Sequence, residues 1–281
     1  MNDLLIEAFV KNAIKEDIGS GDHTSLACIP PEHRGKAKLL VKQHGIIAGI
    51  EIAQYILKYF DKSFTFEFLK KDGDYCVNGD IAFYTEGPSL LLLQAERLVL
   101  NVMQRMSGIA TTTHRYVKEL EGLKTKILDT RKTTPGFRFF EKEAVRIGGG
   151  VNHRFGLYDM ILIKDNHIDF SGGIREAIEN VNTYLKKTGQ NLKIEVEART
   201  FNDIQIILKT GKVHRIMLDN FSVNDTKEAV KMIAGKFETE SSGGITIENL
   251  RQYGECSVDF ISVGALTHQI NSLDLSLKAI K

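Results

Sequence analysis

Cysteine is scarce in this 281-residue chain, and the three that occur, Cys28, Cys76 and Cys256, lie far apart with no CxxC pair. That excludes a disulfide framework and a zinc knuckle; reduced thiols in a cytoplasmic protein are the simpler expectation. Long apolar runs are missing too. The longest patch, around residues 90–93, falls far short of the roughly 20 residues a membrane-spanning helix needs. The first residues lack the basic stretch and apolar core of a secretory leader. Residues 1–17 read instead as an amphipathic helix with Ile6, Val10 and Ile14 on one face. Neither sign of charge is in surplus, since 37 Lys and Arg stand against 36 Asp and Glu for a formal net charge of +1. No nucleic-acid or membrane partner is expected from that balance.

The charges that are present are unevenly spread. Between Lys124 and His167, nine Lys or Arg stand against five Asp or Glu, with His153 and His167 among them. A run of cations is ordinarily a solvated face. These are concentrated in LDTRKTTPGFR (128–138), NHR (152–154) and IKDNH (163–167). Clustered donors of this kind suit a compact polyanion such as a phosphate or dicarboxylate, which must be desolvated against groups that keep their charge. Where these residues fall in the fold decides between the two readings.

A spacing locates them. Short apolar runs end in polar residues at 125–131, 159–164, 193–197, 215–219, 237–241 and 259–263, so successive ends lie 33, 33, 22, 22 and 22 residues apart. A strand of about five residues, a helix of about ten and two short loops fill such a step. The intervening segments carry helical signals. Ile174, Ala177, Ile178, Val181, Tyr184 and Leu185 recur at three and four residues ahead of Gly189. Asn202 is a candidate cap for a helix ending at Gly211, and Ser222 or Asn224 for one ending at Gly235. Six βα units in one direction predict an α/β barrel, irregular or incomplete, with a parallel sheet buried on both faces.

In such barrels chemistry sits where strands end and βα loops begin. That rim would carry Arg131, Lys132, Lys164, Glu197, Asp219, residues 241–244 and residues 262–264. Cations come from the first strands, carboxylates from the middle ones, and Ser and Gly backbone from the last two. The last two loops suit a phosphate held on backbone N–H groups. Glu197 and Asp219 would hold a divalent cation such as Mg²⁺ or stabilise a developing positive charge. For one such carboxylate alone, a helix cap or surface residue is the plainer reading.

Residues 1–110 differ in texture. Strand-like segments at 36–41, 64–69 and 80–84 are separated by the turns Asp72-Gly73 and Asn78-Gly79, with a helix over 51–59. This predicts a small α+β domain, with the barrel over 111–270 and a C-terminal segment, 271–281, packing back on the small domain. A long helix from about 90 to 120 joins the two, and Arg97, Asn101 and Arg105 form one polar stripe on it. From spacing alone, a surface ion pair with Glu96 accounts for Arg97 equally well.

AERLVLNVMQRMSGIAT (95–111), DTRKTTPGFR (129–138), EKEAVRIGGGVNHRFGLYDMILIKDNH (141–167), EVE (195–197), LDNF (218–221), SSGGI (241–245) and ISVGALTH (261–268) resemble the quinolinate phosphoribosyltransferase family, as does EDIGSGDHTS (16–25). The resemblance runs nearly the whole length. It implies transfer of phosphoribosyl from phosphoribosyl pyrophosphate to quinolinate with Mg²⁺, giving nicotinate mononucleotide, pyrophosphate and carbon dioxide, a step of NAD biosynthesis. It further implies that Arg131, His153 and Arg154 grip the substrate carboxylates, with Arg97 reaching in from a second subunit of a homodimer or higher oligomer. Lys132 and Lys164 would face phosphates and carboxylates, while Glu197 and Asp219 serve the ribose and metal. Backbone near Ser242, Gly243, Gly244 and Gly264 would hold the 5-phosphate. Three rival readings stand beside it: a Schiff-base aldolase using Lys164, a phosphoribosyltransferase for nicotinate itself, and a barrel that binds an anionic metabolite without turnover.

Overall fold

The computed structural model describes residues 3–280. Residues 1 and 2 of the expected N-terminal helix, and residue 281 of the expected C-terminal segment, lie outside the described residues. Two compact units make up the chain: Met1–His114, Thr133–Gly149 and Leu266–Lys281 form one, Arg115–Lys132 and Gly150–Ala265 the other. Residues 133–149, placed in the barrel domain from sequence, thus join the first unit.

The first unit contains α1 (Asp3–Ile18), α2 (His23–Cys28), β1 (Arg34–Val41), β2 (Gly45–Ile46), α3 (Ile50–Phe60), β3 (Thr65–Phe68), β4 (Tyr75–Cys76) and β5 (Ile81–Pro88). The long helix α4 (Ser89–Glu119) runs from this unit into the next. Strand β1 alternates, burying Ala37, Leu39 and Val41, as a sheet with one covered face requires. It pairs antiparallel with β5 on one side and, on the other, with β12 (Leu275–Ile280) from the end of the chain, in the order β12-β1-β5-β3.

The second unit is a parallel sheet of β6 (Lys126–Leu128), β7 (Ile161–Ile163), β8 (Ile194–Ala198), β9 (Arg215–Asp219), β10 (Glu238–Ser242) and β11 (Phe260–Ser262). Its order is β6-β11-β10-β9-β8-β7. From β7 onward each strand therefore neighbours the next in sequence, and β11 returns to pair with β6. Between β6 and β7 there is only an isolated parallel bridge, Leu128 to Val151. The barrel is incomplete at this seam, where the intervening segment, including α5 (Arg138–Ile147), belongs to the other unit.

Helices α6 (Asp165–Ser171), α7 (Ile174–Thr188), α8 (Phe201–Thr210), α9 (Val223–Ile233) and α10 (Ile247–Glu255) fill the later connections. Their caps explain their starts. Thr200, rather than Asn202, caps α8: its hydroxyl accepts from the Asp203 amide at 3.1 Å, and the Asp203 carboxylate accepts from the Thr200 amide at 3.0 Å. Ser222 caps α9 by accepting from the Asp225 amide at 3.2 Å.

Packing shows why residues 133–149 leave the barrel. The rings of Phe137 and Phe140 stand 5.4 and 4.6 Å from that of Phe9 on α1. Fully buried Glu141 accepts from Arg105 on α4, at 2.8 Å from Nε and 2.6 Å from Nη2, and from the Thr134 amide at 3.1 Å. Arg105 is thereby committed within its unit rather than standing on a free polar stripe. Removing this carboxylate strips a charge-assisted pair from a dry site, so Glu141→Ala should cost about 2–3 kcal/mol. A urea midpoint lowered at unchanged slope is the expected result; a wild-type midpoint would show the pair to be dispensable.

Candidate active site

Side chains from four strand ends converge at the C-terminal edge of the parallel sheet. Lys164 follows β7 at the start of α6, and its Nζ donates to Glu197 Oε1 at 2.9 Å. The other oxygen of Glu197 accepts from the Asp165 amide at 3.2 Å. Glu197 on β8 is buried, so both its oxygens are engaged at the inner edge of the mouth. Asp219, at the end of β9, titrates above the usual carboxylate range because it is partly buried and because Glu197 repels it. The Asn220 side-chain amide, 3.0 Å from Asp219 Oδ2, partly offsets this. Two carboxylates thus share a region in which the nearby Lys164 cation already bonds one of them.

The opposite flank is cationic. Arg154 is buried, and its Nη1 donates to the Met160 carbonyl at 3.1 Å. Burial, and then repulsion by Arg131, pull its pKa below the ordinary guanidinium value. Glu195, Asp159 and Glu197 act in the opposite direction on it. Arginine stays protonated through any physiological range, so the chain holds two guanidinium groups within mutual repulsion. Arg131 is half-buried and Lys132 is exposed beside it, its amide donating to Thr130 Oγ1 at 3.0 Å.

His153 faces inward. Its backbone amide donates to buried Asp129 Oδ1 at 2.8 Å, the Arg154 amide donates to its Nδ1 at 2.7 Å, and its Nε2 lies 2.9 Å from Glu195 Oε2. Both ring nitrogens are therefore engaged within the chain. To touch a substrate carboxylate, the role implied by resemblance, the ring would have to give one of them up. Below it, buried Glu240 is pushed up to about 8, first by burial and then by Glu195. Arg215 Nη1 donates to Glu240 Oε2 at 2.9 Å, and the Arg215 guanidinium lies over the Phe260 ring at 4.0 Å.

The last strand ends are built of small residues. After Ser242, Gly243 and Gly244 adopt φ of 96° and 61°, and a Cβ on Gly243 would stand 2.2 Å from Asn220 Oδ1. Only glycine fits there. Helix α10 follows, its Asn249 side chain donating to the Gly244 carbonyl at 3.2 Å and tying the loop to the helix start. Gly264 lies just past β11, and the Ser241 and Ser262 hydroxyls are buried without a hydrogen-bond partner among the described residues.

Arg131, Arg154, Lys164, Glu197 and Asp219 are brought within electrostatic reach of one another. Arg97 lies in the other unit, exposed on α4 and, among the described residues, without a carboxylate partner. Sequence reasoning passed over Asp129, Glu195, Arg215 and Glu240. Strand alternation was the available signal: Glu195 is two residues from Glu197, and Arg215 is four from Asp219, so each pair shares a face.

Residues 22–107 and 109–278 match family profiles described as the N-terminal and C-terminal domains of quinolinate phosphoribosyl transferase. The chain is 43% identical to nicotinate-nucleotide pyrophosphorylase [carboxylating], chloroplastic, of Arabidopsis thaliana, covering 97% of this chain and 82% of that protein. It is 42% identical to the probable nicotinate-nucleotide pyrophosphorylase [carboxylating] of Bacillus subtilis (strain 168), covering 99% and 94%. The crystal structure of NadC from Streptococcus pyogenes superposes with a TM-score of 0.93 at 37% identity, covering 100% of this chain and 99% of that one. Human nicotinic acid phosphoribosyltransferase shares the fold, with a TM-score of 0.66 at 12% identity over 92% of this chain and 73% of that chain.

The buried acid makes a pH prediction. Glu240 keeps its proton in the folded chain up to about 8, against 4.5 for the free group. Folding takes up a proton in that window, so the stability this group contributes is full below the lower value and is lost as pH rises through the upper one. Glu240→Gln removes the dependence. Its melting temperature relative to wild type should therefore rise between pH 5 and pH 8.5, and a constant difference would refute the raised pKa.

Proposed function

The chain belongs to the quinolinate phosphoribosyltransferase family, and we propose that it joins quinolinate to phosphoribosyl pyrophosphate with loss of carbon dioxide. The products are nicotinate mononucleotide and pyrophosphate. The observation that carries this reading at the residue level is the placement of Arg131 beside Arg154 in a partly buried mouth. Like charges held together out of water call for a ligand with two negative charges close to each other. The adjacent carboxylates of quinolinate supply them, whereas nicotinate offers only one. Each charge-assisted bond to such a carboxylate contributes roughly 1.5–3 kcal/mol.

Across the mouth, Glu197 and Asp219 stand where positive charge develops on the ribose ring as pyrophosphate departs. Lys164 bonds Glu197 at 2.9 Å and orients it, and with Lys132 it offers point charges to the phosphates. Burial, and then repulsion by Glu197, raise Asp219, and a divalent cation at this edge would offset both. Mg²⁺ held by Glu197 and Asp219, directly or through water, would neutralise charge on the leaving pyrophosphate. The Ser242, Gly243, Gly244 and Gly264 backbone would receive the 5-phosphate, since glycine lets the N–H groups approach closely. Attack by the pyridine nitrogen on the ribosyl carbon makes the ring cationic. That positive charge accepts the electron pair released when the neighbouring carboxylate leaves as carbon dioxide, and a proton then takes its place. Positioning and electrostatics do this work without a covalent enzyme intermediate.

Arg97 is assigned to the quinolinate site of a second subunit in a homodimer or larger assembly. Its exposure on α4 without a partner among the described residues supports that role. Among the described residues no helix is long and apolar enough to cross a membrane. All three cysteines are free, and reduced thiols support a cytoplasmic location.

Release of carbon dioxide from quinolinate, phosphoribosyl pyrophosphate and Mg²⁺ is the direct test; no release would end the proposal. Arg131→Ala and Arg154→Ala should each raise KM for quinolinate about tenfold or more while moving that for phosphoribosyl pyrophosphate about twofold or less. Equal effects on both substrates would dismiss the carboxylate assignment. Arg97→Ala and Lys164→Ala, each inactive alone, should regain about a quarter of wild-type activity when equal amounts reassociate as dimers. Half of those dimers are mixed, and each mixed dimer has one intact site of two. Absence of recovery would show that the site is not shared.

A further inference from the structure

Three ionisable side chains inside the barrel have no part in the chemistry assigned above. They are Glu195, Arg215 and Glu240, on the adjacent strands β8, β9 and β10. Glu195 and Glu240 are wholly buried, and Arg215 is nearly so. Ligand atoms of Glu195, Glu240 and His153 lie within 4.8 Å of one another. Burying several charges is costly unless each is bonded, so the direction of every hydrogen bond in the group matters.

Donors and acceptors can be assigned in order. The Arg154 amide donates to His153 Nδ1 at 2.7 Å, so that nitrogen carries a lone pair and the ring proton sits on Nε2. Nε2–H then donates to Glu195 Oε2 at 2.9 Å. At the other end, Arg215 Nη1 donates to Glu240 Oε2 at 2.9 Å. What remains is Oε1 of Glu195 and Oε1 of Glu240, both buried and neither receiving an N–H or O–H from any other described group. The two carboxylates flank one His153 Nε2, at 2.9 Å from Glu195 Oε2 and 3.6 Å from Glu240 Oε2, and two carboxyl groups so close in a dry interior are satisfied when one carries a proton and donates it to the other. The pKa of Glu240, pushed to about 8 by burial and then by Glu195, makes Glu240 the carrier.

We infer that Glu195 is a positioning residue for the quinolinate site: accepting from Glu240 on one oxygen and from His153 on the other, it fixes the ring on which the Arg154 backbone hangs. The chain of bonds runs Arg215, Glu240, Glu195, His153, Arg154, and ends at a guanidinium assigned to a substrate carboxylate. Small displacements there weaken a directional contact and leave the distant phosphate contacts unaffected. The group is asymmetric. Glu240 donates once and accepts once, which a glutamine amide reproduces. Glu195 only accepts, and a glutamine there turns an N–H toward either the His153 proton or the Glu240 proton.

The inference rests on the reading of the site as one for quinolinate, and the test separates the two. Wild type, Glu195→Gln, Glu240→Leu and Glu240→Gln are compared by steady-state kinetics, by melting temperature and by ¹⁵N spectra of the histidine rings. Glu195→Gln and Glu240→Leu should raise KM for quinolinate about tenfold while shifting that for phosphoribosyl pyrophosphate less than about twofold, and Glu240→Gln should restore it to within about threefold of wild type. The spectra should show His153 protonated on Nε2 in wild type and in Glu240→Gln, a readout that needs no substrate. Identical behaviour of the two glutamine variants would overturn the inference. So would parallel changes in both KM values, His153 protonated on Nδ1, or one divalent ion per chain that Glu240→Gln loses. If Glu195→Gln does not fold, the contrast between leucine and glutamine at 240 decides alone. A wild type that does not turn over quinolinate sinks the functional reading, and the histidine spectra still decide the hydrogen-bond chain.

Discussion

A strand covered on both faces has no solvent side on which to put a charge, and the inward faces of β8, β9 and β10 nonetheless carry Glu195, Arg215 and Glu240. Everything at the mouth depends on how that is resolved. Arg215 neutralises part of the carboxylate charge and rests on the Phe260 ring, while His153 closes the upper end against Glu195. Apolar side chains of the same size would be easier to bury. Polar ones fix direction, because each bond admits one donor and one acceptor, and direction is what a site for a planar dicarboxylate requires.

Above this layer the mouth is divided by sign. Arg131 follows β6 and Arg154 lies in the segment between β6 and β7, while Glu197 and Asp219 stand on the middle strands, with Lys164 bonded to Glu197. The small-residue loops after β10 and β11 complete the rim. An anionic ring, a developing sugar cation and a phosphate would each meet charge of the opposite sign or a backbone donor. The strand order brings this about: from β7 to β11 neighbours in sequence are neighbours in the sheet, and β6 closes on β11, so the ends of all six strands are collected around one edge.

Much of this could be read from sequence because parallel strands buried on both faces are short, apolar and abruptly ended by polar residues. Each of the six expected runs overlaps one of the six strands. Other features were illegible for a physical reason. The first long step hides α5, whose Phe137, Phe140 and Glu141 contacts are made with Phe9 and Arg105, residues far off in sequence. The second long step hides the short helix α6, begun by Lys164. Thr200 could not be told from Asn202 as a cap, since both are good caps and only backbone geometry chooses. The motif NHR suggested two substrate-facing residues, His153 and Arg154, yet His153 commits its ring to Glu195 and the Arg154 amide, a pairing that depends on a strand 42 residues away.

The pairing of β1 with β12 bears on synthesis. Strand β1 is an interior strand of its sheet only because residues 275–280 lie along it. While the ribosome is still extending the chain, the second unit has nearly all its pieces, but the first has an open flank of unpaired N–H and C=O groups on β1. The domain that begins first is finished last. A nascent or clipped chain ending before Leu275 would display an adhesive border that residues 275–280 otherwise cover.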